Sequence, residues 1–122
     1  MAQPDRSVAY LRFLSLLDAI RGDPSLPELE ANERELLDML AMRWFSGRKV
    51  CVLEAMNSGV SGMSPSTVHR RIKSLKNRGM IRIEQDGADS RTKYLVPTEQ
   101  ALRYFDRLGE CLERSGGALP TA

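Results

Sequence analysis

The 122-residue sequence predicts a mainly α-helical fold with one small β-hairpin. Apolar residues recur at helical spacing in five segments, and strand signals are confined to two short runs around a polar tip. A third observation concerns charge. Residues 46–93 hold ten Lys or Arg against four Asp or Glu, a balance of +6, whereas the flanks hold 8 against 12, a balance of −4. A basic middle on a neutral-to-acidic scaffold is the footprint of a phosphate-binding surface; the plainer alternative is a soluble surface that happens to be basic. With 42% hydrophobic content, the chain can build one core, yet it is small enough to gain stability from a partner subunit.

Asp5–Arg21 reads as the first helix. Its apolar residues Val8, Leu11, Phe13, Leu14, Leu17 and Ile20 form a stripe wide enough to face two surfaces, so the helix wants a partner. Gly22–Pro27 ends it, because Gly-Asp-Pro and Leu-Pro both disfavour continued helix. A second helix is expected from near Asn32, with Asn32 and Glu35 at capping-box spacing and Leu36, Leu37, Leu40 and Trp44 as its buried face. Ser46 or Gly47 opens a short third helix, Arg48–Met56, that buries Val52, Leu53 and Met56. The link Asn57–Met63 holds two glycines and two serines and is turn-like. It exceeds the three or four residues common in a helix-turn-helix.

The most informative stretch follows. Ser64 suits an N-cap and Pro65 the first helical position, where its missing N–H and fixed φ cost nothing. Val68, Ile72 and Leu75 then make one apolar stripe. Ser66, Arg70, Lys73 and Asn77 point away from it, with Thr67 and His69 on its flanks, and a helix built this way can enter a DNA major groove. Gly79 supplies a left-handed stop. Met80–Gln85 and Thr92–Val96 read as strands joined by the polar tip Asp86–Arg91. Thr98 caps a last helix, with Glu99 in its first turn and Leu102, Phe105, Leu108 and Leu112 as its seam. From Ser115 the sequence is rich in Gly, Ala and Pro.

From Arg48 to Ala101 the chain resembles the MarR group of winged helix-turn-helix transcriptional regulators. Ser64 to Arg70 matches that family's Ser-x-Ser-Thr-Val helix start, and Leu75 to Ile81 its Leu-x-x-Arg-Gly-Leu-Val ending. Asp89-Ser90-Arg91, Lys93 to Val96 and Pro97-Thr98-Glu99-Gln100-Ala101 match the wing turn, the wing strand and the start of the next helix. Three positions depart from the pattern. His69 stands for a small hydroxyl residue, Ser90 for a frequent second arginine and Ala101 for glycine. The chain is thus expected to form one winged-helix domain over residues 1–116, with 46–97 as the DNA-binding core, 5–21 and 98–114 as dimerisation helices, and 117–122 as a disordered tail. The surplus apolar faces of the first and last helices suit a homodimer on pseudo-palindromic double-stranded DNA, and the resemblance further implies a small-molecule effector near the interface.

Arg70 is the leading candidate contact, since its planar fork can bond guanine O6 and N7 together; a solvated arginine is the bland alternative. Ser66, Thr67 and His69 could reach base edges or phosphates, and the helix start at Ser64 offers backbone N–H groups to a phosphate. Arg71, Lys73 and Lys76 are read as phosphate anchors or solvated cations. At the hairpin tip Arg91 could enter a narrow minor groove, with Asp89 bonding the turn or holding that arginine and Lys93 touching the DNA backbone.

The remaining classes find little support. Cys51 and Cys111 are too few and too far apart for a disulfide framework, and with His69 they have no ligand spacing for zinc. Cys51 is expected to pack as a small hydrophobe, and Cys111 is a candidate redox thiol if its pKa is depressed. There is no Gly-rich phosphate loop and no Ser-His-Asp order, so neither an enzyme nor a cofactor is expected. No signal-peptide pattern or membrane-length apolar run is read, which predicts a cytoplasmic chain without a membrane partner. The rival reading is a winged-helix protein-interaction module that never touches DNA.

Overall fold

The computed structural model describes residues 4–89 and 91–114. Its elements run α1 (Pro4–Arg21), α2 (Ala31–Phe45), β1 (Val50–Cys51), α3 (Val52–Met56), a 3₁₀ turn (Val60–Gly62), α4 (Pro65–Asn77), β2 (Ile81–Gln85), β3 (Lys93–Pro97) and α5 (Glu99–Arg114). Ser90 and the expected tail, 117–122, lie outside the described residues. Contacts fall into two compact units, Leu29–Leu102 and one made of the chain on either side of it.

The unit Leu29–Leu102 is built around α4. Ser64 caps that helix, its Oγ accepting the Thr67 N–H at 3.3 Å, and Pro65 occupies the first turn. Val68, Ile72 and Leu75 are all buried, together with Leu36, Leu37 and Leu40 of α2 and Ala55 of α3. α2, α3 and β2 all pack on α4. An apolar stripe at four- and three-residue spacing demands such company, because nothing else removes it from water. The sheet is antiparallel in the order β1-β3-β2; Ile83 and Val50 both stand opposite Leu95, which is buried.

Two elements depart from the sequence pattern. The expected third helix, Arg48–Met56, is split. Val50 and Cys51 pair with Leu95 and Tyr94 as a strand, and Cys51 Sγ then caps the shortened helix by accepting the Glu54 N–H at 3.4 Å. Leu53, expected inside, is exposed, and Ala55 takes the buried position. The second helix starts one residue earlier than Asn32, and its capping box is Glu30 with Glu33: the Glu30 N–H donates to Glu33 Oε1 at 2.9 Å. Glu33 wins over Glu35 because its carboxylate also has partners on α4.

At the end of α4 the chain must reverse into β2, and Gly79 does so at φ +76°. Thr98 Oγ1 donates to the Gly79 carbonyl at 2.6 Å and accepts the Ala101 N–H at 3.0 Å, joining this turn to the start of α5. Gly79→Ala is expected to lower the unfolding free energy by about 1–2 kcal/mol, the cost of holding a Cβ-bearing residue left-handed. The new Cβ would also lie 2.7 Å from Gln100 Oε1, which must move aside. Urea denaturation checks this, and an unchanged midpoint would refute it.

In the other unit, Ile20 and Tyr104 are buried. Asp23 accepts hydrogen bonds from the Ser25 N–H and hydroxyl, each at 2.8 Å, and Arg107 lies 3.9 Å from its carboxylate. Along α1, Val8, Tyr10, Leu11, Phe13 and Leu14 stay exposed, Leu11 at 58%.

Candidate nucleic-acid interface

The solvent face of α4 carries Ser66, Arg70, Lys73, Lys76 and Asn77, all exposed, with Thr67 and His69 half-buried beside them. The helix start is tied together by hydroxyls. Ser64 Oγ lies 3.3 Å from Ser66 Oγ and donates to Thr67 Oγ1 at 3.0 Å, and Thr67 Oγ1 accepts Arg70 Nη2 at 3.3 Å. Arg70 is thereby held along the first turns by a neutral partner, so its charge is not cancelled.

Charge pairing separates the basic residues into two groups. Arg48 bonds Glu54 at 2.7 Å, Arg71 bonds Glu30 at 3.3 Å, Arg78 bonds Glu33 at 2.7 Å and Arg82 bonds Glu84 at 2.6 Å. Arg70, Lys73, Lys76 and Lys93 have no carboxylate partner among the described residues. Three of these four unpaired cations lie on the outer face of α4, and Lys93 opens β3. Arg71, read from sequence beside Lys73 as a phosphate anchor or solvated cation, is turned back toward α2, with its Nε buried and without a hydrogen-bond partner.

At the hairpin tip, Asp89 does both things its position suggested. Its Oδ1 accepts the Arg91 backbone N–H at 3.0 Å and lies 3.4 Å from Arg91 Nε, while Thr92 Oγ1 donates to Oδ2 at 3.2 Å. These bonds, the Arg91 backbone N–H foremost, outweigh the opposing effect of desolvation and hold the Asp89 carboxyl below its usual pKa. The Arg91 side chain is 92% exposed, so the pair lies in water and contributes little to stability. Behind the tip, Val52, Leu53 and Met56 line a groove of about 420 Å³ that also takes in Arg91, Thr92 and Lys93.

Three further contacts near this surface have no local sequence signal. Trp44 Nε1 donates to the Leu95 carbonyl at 3.0 Å, tying α2 to β3. Lys49 Nζ lies 5.3 Å from the Tyr94 ring centroid, within cation–π range. Glu33, fully buried, receives Ser74 Oγ and Arg78 Nε on one oxygen and the Glu30 N–H on the other. Its burial alone would raise the carboxyl pKa, but the bonds from Ser74, Glu30 and Arg78 outweigh that and lower it.

The cysteines do not form a centre. Cys51 is a helix cap rather than a simple packing residue. Cys111 donates from Sγ to Asp23 Oδ2 at 3.5 Å, and desolvation together with that bond pushes its pKa up. A raised pKa disfavours the thiolate, so the condition attached to Cys111 as a redox thiol, a depressed pKa, is not met. Among the described residues no cluster of His, Cys, Asp and Glu is arranged to hold a metal ion, and no helix is long and apolar enough to cross a membrane.

The winged helix-turn-helix DNA-binding family matches residues 58–82, which cover the α3–α4 connection, all of α4 and the first residues of β2. An uncharacterized protein of Sinorhizobium fredii is 38% identical over 84 residues, 67% of this chain, and the chain spans only 20% of that relative's length. Among solved structures, the transcriptional regulator Tm0710 from Thermotoga maritima is 22% identical with a TM-score of 0.63, over 93% of this chain and 76% of that one. A MarR-like transcriptional regulator of Thermotoga maritima, Tm0816, is 20% identical with a TM-score of 0.60, over 93% and 77%. The PcaV transcriptional regulator from Streptomyces coelicolor, solved with its natural ligand, is 20% identical with a TM-score of 0.54, over 93% and 74%. The fold is thus that of MarR-type winged helix-turn-helix regulators.

Proposed function

We propose that this chain is a sequence-specific double-stranded DNA-binding transcriptional regulator that works as a homodimer in the cytoplasm. The observation that carries this reading is the unneutralised face of α4: Arg70, Lys73 and Lys76 stand exposed and unpaired with acids on a helix capped by Ser64. Two such helices related by a two-fold axis suit successive major-groove turns of a pseudo-palindrome. Ser64, Ser66, Thr67, His69 and Arg70 are proposed to meet base edges or phosphates, and Lys73 and Lys93 phosphates. Arg91, steadied by Asp89, is assigned to the minor groove. Arg71 contributes only after leaving Glu30. A small-molecule effector is proposed by analogy with PcaV, whose structure holds its natural ligand.

Binding to duplex DNA as a function of salt tests the reading. A protein that neutralises Z phosphates should show a slope of about −0.9Z in log K against log salt, with random duplex bound at roughly 10⁻⁴–10⁻⁶ M at physiological salt. Absence of binding to any duplex would favour a protein-interaction module instead, for which Phe45, 89% exposed, and Met42, 71% exposed, offer an apolar patch.

The exposed apolar residues of α1 support the homodimer, since monomers seldom leave such a row in water. Replacing Leu11 and Leu14 together with Asp is expected to convert a dimer into a 13.7 kDa monomer in sedimentation. These two side chains serve better than Leu108 and Leu112, which are half-buried and whose loss would disturb their own unit. A chain that sediments as 13.7 kDa before any substitution would refute the dimer.

A further inference from the structure

Two glutamates at the start of α2 hold one face of α4. Glu30 Oε2 meets Arg71 Nη1 at 3.3 Å, and Glu33 Oε2 meets Ser74 Oγ and Arg78 Nε, the latter at 2.7 Å. Arg71, Ser74 and Arg78 follow at spacings of three and four, so they form one stripe down the helix. This stripe is distinct from the apolar one of Val68, Ile72 and Leu75, and lies about 100° around the axis from the outer face of Ser66, Arg70, Lys73 and Asn77. Apolar burial fixes how deep α4 sits but is non-directional, whereas hydrogen bonds to a buried carboxylate have direction. Glu33 is held from two sides: the backbone N–H of Glu30 bonds one oxygen, and Ser74 of α4 and Arg78 at its C-terminal end bond the other.

We propose that Glu33 is a positioning residue for DNA reading: through Ser74 and Arg78 it sets the roll of α4 about its axis and hence the aim of Arg70 into the groove. Glu33 never touches DNA. The inference rests on the DNA-binding reading above. A helix free to roll would still present positive charge to phosphates, because long lysines adapt, but Arg70 would lose its alignment with base edges. Roll therefore governs preference among sequences and leaves nonspecific affinity alone.

The test uses the full chain and a duplex selected by the unaltered protein from a random pool, alongside random duplex. Glu33→Gln is expected to reduce the preference for the selected duplex by about tenfold, the loss of one charge-assisted hydrogen bond. Random-duplex affinity and its salt slope should stay within about twofold, since no phosphate contact is removed. Ser74→Ala, which leaves the carboxylate paired with Arg78, should lower the preference in the same direction by less, and it serves if Glu33→Gln fails to fold. Unchanged preference in Ser74→Ala, or equal losses on selected and random duplex in a folded Glu33→Gln, would overturn the proposal. If the unaltered chain binds no duplex, the DNA-binding reading itself fails, a result distinct from either.

Discussion

Ile72→Ala is expected to cost the folded chain about 2–5 kcal/mol, much or most of the stability of a small domain. Ile72 is 1% exposed at the centre of the α4 stripe, with Val68 and Leu75 fully buried on either side. α2, α3 and β2 meet on that stripe, so the cavity left by the missing carbons would open where three elements converge and none can collapse alone. Urea denaturation gives the measurement. A loss below about 1 kcal/mol, typical of a site that relaxes or is half-exposed, would contradict this account of the core.

Arg70→Ala is expected to weaken binding to the preferred duplex by about 1–3 kcal/mol and to relax the preference at the bases it reads. Lys76→Ala should weaken all duplexes alike and flatten the salt slope by about one phosphate contact. The contrast follows from chemistry: a planar fork reads two acceptors at once, and an ammonium on a flexible stem reads only charge. Competition titrations with selected and random duplex distinguish the two. Equal losses from Arg70→Ala on both would reassign it to the DNA backbone.

Helix α4 was legible in the sequence because its signals are local. Ser64, Pro65, the Val68-Ile72-Leu75 stripe and Gly79 each act within a turn or two, and the helix runs as they dictate. The strand at Val50–Cys51 was not legible, since Val-Cys-Val-Leu fits a buried helix as well as a strand and only Leu95 and Tyr94, more than forty residues on, decide between them. The capping box failed similarly. Asn32 with Glu35 and Glu30 with Glu33 have the same spacing, and the choice falls to Ser74 of α4 and Arg78 just past its end. At the site, residue types were readable but pairing was not: Arg71 and Lys73 look alike in the sequence, yet one is paired with Glu30 and the other is not. Asp89 was readable because its partners lie within three residues.

Trp44 is the only tryptophan in the chain, and its indole N–H is bonded to the carbonyl of Leu95 in the central strand. It borders a cleft of about 210 Å³ shared with Lys49, Tyr94 and the hairpin residues Glu84 to Gly87. The chain thus carries a built-in optical reporter. Indole emission responds to the polarity and hydrogen bonding of its surroundings, so its wavelength and intensity follow the joint between α2 and the hairpin, with no dye attached and no competing indole elsewhere. Light absorbed by Tyr94 in the same cleft can pass to Trp44, which makes the signal sensitive to separation as well as to solvent. Any movement of the hairpin relative to α2 therefore becomes visible in an unlabelled sample.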